Sequence, residues 1–256
     1  MGYTIAEIFT LPSRGKIYNV PVSEQVKLRS MTLEEEMQRL SNTETPYKTL
    51  CDIIDACMVE PIGISSYDMH LGDYQFLLHR LRVVTYGSSY NMSSICPICG
   101  RQNKMSINLD EIPTFDIDTD EKLEEFKKLF TITLPKSGNV IKLKFQTPRD
   151  MDEILRESKD FSEKNPDVKL NMEYLYNLQH MVESVDGKRI TPVLLDIFLR
   201  KLPMADSNAI IKASSKINDK VGIDSVVKNV CTNPRCGAKY NTTFRITTEF
   251  FGPTED

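Results

Sequence analysis

The 256-residue chain has no tryptophan and only three histidines, His70, His79 and His180. Three scattered imidazoles do not make a histidine-based metal or acid–base centre. His79, on the polar side of a helix, and His180, inside another, read as structural side chains. Glycine is sparse too. The eleven glycines are scattered as turn residues, so the close-set glycines that open a helix after a strand and cradle a phosphate are missing. No nucleophile-elbow sequence occurs, which leaves nucleophilic catalysis without a candidate. No apolar run approaches the ~20 residues of a membrane span. The start, Met1-Gly2-Tyr3-Thr4-Ile5-Ala6, has no basic region followed by an apolar one, and Ala6 stands where a myristoylation signal needs Ser or Thr. The expectation is a chain made and kept in a reducing cytosol. Acidic side chains outnumber basic ones, 36 to 32, with a pI near 5.6, which argues against a main task of gripping nucleic-acid phosphates.

Cysteine is scarce as well, and its placement is informative. Four of the six cysteines form two pairs, Cys96-Pro97-Ile98-Cys99-Gly100 and Cys231-Thr232-Asn233-Pro234-Arg235-Cys236-Gly237, with 131 residues between Cys99 and Cys231. Each pair is a short turn that aims two sulfurs at one point. Tetrahedral zinc takes four, so each half lacks what the other supplies. Both pairs run into glycine, which suits a turn that needs positive φ. The separation far exceeds that of a compact ribbon, so something folded is inserted between the knuckles. A four-thiolate structural zinc is the favoured reading, two unmetallated turns the second, and a disulfide the third. Four thiolates leave the metal no open position for a hydrolytic water. Cys51 and Cys57 lie at helical spacing among apolar residues and read as core.

At this length the chain can bury roughly 70% of its unfolded surface, so zinc would fix local geometry rather than supply a missing core. Residues 1–30 read as an extended arm broken by Pro12 and Pro21. Thr32 with Glu35 makes a capping box for a short helix to Leu40. The Cys51 helix follows, and then a helix over Asp73 to Tyr86, stopped by Gly87. Strand alternation marks Lys104 to Leu109. The acidic stretch Asp110 to Glu125 fails as a calcium loop, because Glu121 stands where glycine belongs and Lys127 where glutamate does. A hairpin is expected from Thr131 to Phe145. Thr147-Pro148 opens a helix, and Tyr174, Leu175, Leu178, Met181, Val182 and Val185 mark one amphipathic stripe. Helices then start at Thr191-Pro192 and Pro203, and strands Ser225 to Val230 and Tyr240 to Ile246 flank the second knuckle.

The fold class is therefore α+β, in five parts. They are an arm (1–30), a helical unit (31–92), the first knuckle with a β-hairpin (93–147), a helical insertion (148–222), and the second knuckle with a C-terminal strand (223–256). A zinc-ribbon nucleic-acid-binding module is the rival reading, motivated by Lys136, Lys142, Lys144 and Arg149 near the hairpin.

Four segments occur in a telling order: Leu11-Pro12-Ser13-Arg14-Gly15-Lys16-Ile17-Tyr18, Leu28-Arg29-Ser30-Met31-Thr32 before an acidic helix, Leu81 to Tyr90, and the Cys96 knuckle. In this the chain resembles the baseplate hub and hub-assembly proteins of T4-like contractile-tailed bacteriophages, over most of residues 1–148 and more loosely to the second cysteine pair. The resemblance implies a non-enzymatic virion or assembly protein in the tail baseplate, present in the host cytoplasm during assembly, oligomeric or part of a large assembly, with other tail and baseplate proteins as partners. The metal expectation rests on the cysteines themselves. On the family reading Leu11, Pro12, Arg14 and Tyr18 belong to a docking arm that adds to a neighbour's sheet edge or fills its groove. The alternative is an arm packed on its own domain.

Overall fold

The computed structural model describes residues 5–244, 246 and 248–251. The N-terminal reading over Met1 to Thr4, and Arg245 of the last expected strand, lie outside the described residues. The arm forms β1 (Ala6–Thr10), which pairs antiparallel with β2 (Gln25–Arg29) in the register Ala6↔Arg29 to Thr10↔Gln25. Helix α1 (Leu33–Arg39) starts where the capping box was expected, and the Glu35 carboxylate accepts the Thr32 N–H at 2.7 Å. Helices α2 (Pro46–Cys57) and α3 (Leu71–Tyr86) follow, with Gly87 ending α3 at φ 84°. Leu11, Val26, Leu28, Cys51, Ile54, Cys57 and the apolar residues of α3 make a first core, closed by Phe244, Phe250 and Phe251 from the far end of the chain.

Eleven of the sixteen α3 residues are buried, so this helix has no polar side. His79, expected on such a side, is fully buried against the rings of Phe244 and Phe250. The covering segment is remote in sequence, which is why local periodicity missed it. Burial, reinforced by Arg80 and Arg82, pushes its imidazole down to about 3.

Strands β3 (Ser89–Ile95) and β4 (Gln102–Asn108) form the first knuckle hairpin. The chain then enters its insertion through β5 (Thr114–Phe115) and α4 (Asp120–Lys128). Next come β6 (Thr131–Thr133), β7 (Val140–Leu143), α5 (Pro148–Lys164) and α6 (Met172–Met181). The insertion finishes with β8 (Val182–Val185), α7 (Pro192–Arg200) and α8 (Met204–Asn218). The stripe from Tyr174 to Val185 is thus two elements. Helix gives way to strand at Val182, where β-branched residues pair with β7 in a three-stranded β6–β7–β8 sheet. That sheet and α6 to α8 enclose a second core around Ile141, Leu143, Leu178, Leu199 and Ile210. The hairpin grouped in sequence with the first knuckle shares this core with the helices.

A two-residue strand, β9 (Gly222–Ile223), pairs antiparallel with β5 and joins the two ends of the insertion. Strands β10 (Val226–Val230) and β11 (Lys239–Thr243) make the second knuckle hairpin, and the turn Thr248–Phe251 returns to the first core. The whole is α+β, with small sheets. No helix among the described residues is long and apolar enough to cross a membrane.

Candidate metal centre

Each knuckle is a tight turn on a short ribbon. In the first, the Cys96 N–H donates to the Arg101 carbonyl and the Gly100 N–H to the Cys96 carbonyl, both at 2.9 Å, with Gly100 at φ 72°. In the second, the Cys231 N–H donates to the Ala238 carbonyl at 2.9 Å, while Cys236 and Gly237 both donate to the Asn233 carbonyl, with Gly237 at φ 56°. The glycines occupy left-handed backbone that a Cβ would strain.

These turns bring all four cysteines together. The Sγ of Cys96 lies 3.9 Å from that of Cys236, the Sγ of Cys99 lies 3.5 Å from that of Cys231, and all four sulfurs fall within 4.8 Å of one another. Zinc–thiolate bonds in a tetrahedron set sulfurs about 3.8 Å apart. The donor set therefore fits a structural four-thiolate metal. All six cysteines are free thiols, which removes the disulfide reading, and Cys51 and Cys57 are buried in the first core.

The electrostatics of the quartet point the same way. The Arg101 N–H, and then the neighbouring Cys231 thiol, hold Cys99 down to about 6. Cys236 behaves oppositely: the Ala238 N–H lowers it, but desolvation and the Cys99 and Cys96 sulfurs prevail and raise it to about 11. Cys99 forms a thiolate readily, while a further charge on Cys236 meets its neighbours' sulfurs, a conflict that a divalent cation at the centre would remove.

A polar network beside the sulfurs joins the same two hairpins. Ser94 and Asn103 are cross-strand neighbours in one ribbon, and Asn229 and Tyr240 in the other. The Tyr240 hydroxyl lies 2.8 Å from Ser94 Oγ, and it accepts from Asn103 Nδ2 and Asn229 Nδ2 at 3.0 Å. Asn103 is 1% exposed, and its Oδ1 accepts both the N–H and the O–H of Thr232. Arg82 fixes the base of the clasp. Its buried guanidinium donates to the carbonyls of Gly87, Ser89 (3.0 Å) and Phe250 (3.1 Å). Reading strand alternation alone missed this network. Its signal was polar side chains, Ser94, Asn103 and Asn229, on the inward parity of short strands.

The arm residues sit elsewhere. Leu11 and Pro12 are buried, and Arg14 pairs with Asp116 at 3.6 Å. Tyr18 donates to the buried Asp73 carboxylate at 2.6 Å, and Asp73 also accepts the Ser13 N–H. Burial raises the Asp73 carboxyl. These contacts pack the arm on its own domain.

Asp150, Glu153 and His180 also converge. The Asp150 oxygens there are occupied by His180 Nδ1 (2.8 Å), Lys144 and the Thr147 cap, which makes the group a hydrogen-bonded helix start. Asp116, Asp118 and Asp120 pair with Arg14, Lys122 and Lys16. Of the four cations behind the nucleic-acid reading, Lys142, Lys144 and Arg149 are paired with Glu183, Asp150 and Asp68.

Two small cores, with two cysteine hairpins brought together beside them, define an α+β protein. The chain belongs to the T4 bacteriophage base plate protein family, whose model matches residues 4–252. Membership makes it a structural protein of the phage baseplate and points away from enzymatic activity. Comparison with curated proteins and with solved structures found no match.

Proposed function

We propose that this chain is a structural or assembly component of the baseplate hub, acting through contacts with other tail and baseplate proteins, in the host cytoplasm during assembly and at the tail baseplate of the virion. In this reading Cys96, Cys99, Cys231 and Cys236 hold one structural zinc, which clasps the two hairpins and so locks the insertion between them. The observation that supports it is the convergence of four sulfurs from two turns 131 residues apart, at separations suited to tetrahedral thiolate coordination. The zinc supplies no reaction here. When bound it neutralises thiolates and fixes the hairpins, and Asn103, Tyr240 and Thr232 orient the turns around it. With Leu11 and Pro12 buried, docking by the arm falls to its exposed residues, Ile5 and Ile8. The test is a baseplate assembly assay with Cys96→Ser. Assembly should fail or slow with loss of metal, and undiminished assembly by a metal-free variant would refute the clasp.

A further inference from the structure

Charge is divided very unevenly along this chain. The two knuckle hairpins, residues 88–108 and 225–244, contain Arg101, Lys104, Lys228, Arg235 and Lys239 and not one acidic residue. The rest of the chain is left with 27 basic and 36 acidic side chains, so overall acidity conceals a cationic clasp. All five cations are exposed, and none makes an ion pair with a described residue, whereas cations such as Arg149 and Lys142 elsewhere do. A four-thiolate zinc would carry two negative charges, so the clasp stays net positive even when loaded.

The metal-bearing tip also exposes aliphatic surface. Ile95, Ile98 and Val230 are 71%, 75% and 52% exposed, and they lie in or beside the same two cysteine turns as Arg101, Arg235 and Lys239. Val230 and Lys239 are direct cross-strand partners. Large exposed aliphatic side chains in the same turns as unpaired cations have the make-up of an interface centre with a charged rim.

We infer that this tip docks onto a face of another tail protein in which carboxylates rim an apolar patch, an inference that rests on the baseplate reading above. Two other occupants fit less well. Single-stranded nucleic acid stacks its bases on aromatic rings, and Tyr240, the aromatic residue of the described hairpins beside the cysteine turns, is turned inward by three hydrogen bonds. A second copy of the chain would have to offer its acidic stretch, but Asp110, Asp116, Asp118, Asp120 and Glu124 there are already paired with Arg80, Arg14, Lys122, Lys16 and Lys127.

The test places a photo-reactive benzophenone amino acid at Ile98, in the full chain, in cells producing the phage's complete set of tail proteins, and maps the cross-linked peptide by mass spectrometry. The expected product joins Ile98 to a peptide of a different tail protein bearing carboxylates around an apolar residue. Its yield should fall at least tenfold in the Lys104→Glu, Lys228→Glu, Lys239→Glu variant, whose substituted side chains lie on the strands outside the cysteine turns, with metal content and melting temperature unchanged. Should that variant fold poorly, cross-linking by the Ile98 probe alone, in lysates of rising ionic strength, replaces it, and the yield should drop as salt rises. Cross-links to nucleic acid, to a second copy or to a carboxylate-free peptide overturn the inference, as does a yield indifferent to charge or salt. Zinc is measured on the same samples. Metal-free protein that still cross-links in a charge-dependent way counts against the zinc reading and leaves the docking face standing.

Discussion

Asn103 holds Thr232 across 129 residues of sequence, accepting its backbone N–H at 2.7 Å and its hydroxyl at 2.8 Å on a single amide oxygen. Thr232 follows Cys231 directly, so this contact sets how the second knuckle faces the first. On the proposed reading the hairpins have two fastenings, a metal held by sulfur and these hydrogen bonds.

Removing the second fastening should cost the hydrogen bonds that the buried Asn103 side chain makes to Thr232 and Tyr240. Asn103→Ala orphans the Thr232 N–H and takes one donor from Tyr240. Its expected penalty is about 1–3 kcal/mol, seen as a lower unfolding midpoint in denaturant together with weaker metal retention against a chelator. Normal metal retention by this variant would show that the network does not orient the cysteines.

The turn glycines give a sharper geometric test. Nothing lies within 4 Å of a Cβ added at Gly100, so its positive φ is the sole obstacle to a side chain. Gly100→Asn should be nearly neutral, and Gly100→Val should lose on the order of 1–2 kcal/mol, because β-branched residues resist left-handed backbone. Thermal melts of the two variants, side by side, check this.

His79 makes the first core acid-sensitive. Its folded value, about 3, lies below the ordinary 6.5, so the unfolded chain binds the proton first. The neutral ring's contribution is fully present above pH 6.5 and is lost as pH falls from there toward 3, at about 1.4 kcal/mol per pH unit. His79→Phe should flatten the stability profile over that window. Equal acid sensitivity in both proteins would contradict the assignment.

Leu11 separates packing from docking. It is fully buried in the first core, so Leu11→Ala should destabilise the isolated protein by about 2–5 kcal/mol. Were Leu11 reserved for a partner, stability would hold and only assembly would suffer.

Much of this was legible because the deciding signals are local. Thr32, Thr147 and Thr191 announce helix starts, Gly87 ends α3, and the two cysteine turns reveal each other through shared chemistry. Three things were not legible, each for want of long-range information. The stripe through Val185 hid a change from helix to strand that only pairing with β7 dictates. The environment of His79 depends on Phe244 and Phe250, some 170 residues downstream. The arm motif carries no mark of its contacts within the chain, where Asp73 receives Tyr18 and Ser13.

The central claim is that four cysteines hold one zinc that closes the clasp, and native mass spectrometry of the purified full-length chain tests it most directly. One zinc per chain is predicted, lost in Cys96→Ser and in Cys231→Ser, with the far-ultraviolet helical signal largely kept because the helices lie in the two cores. A wild-type chain without stoichiometric metal, whose four knuckle thiols react freely in the folded state, would contradict the account.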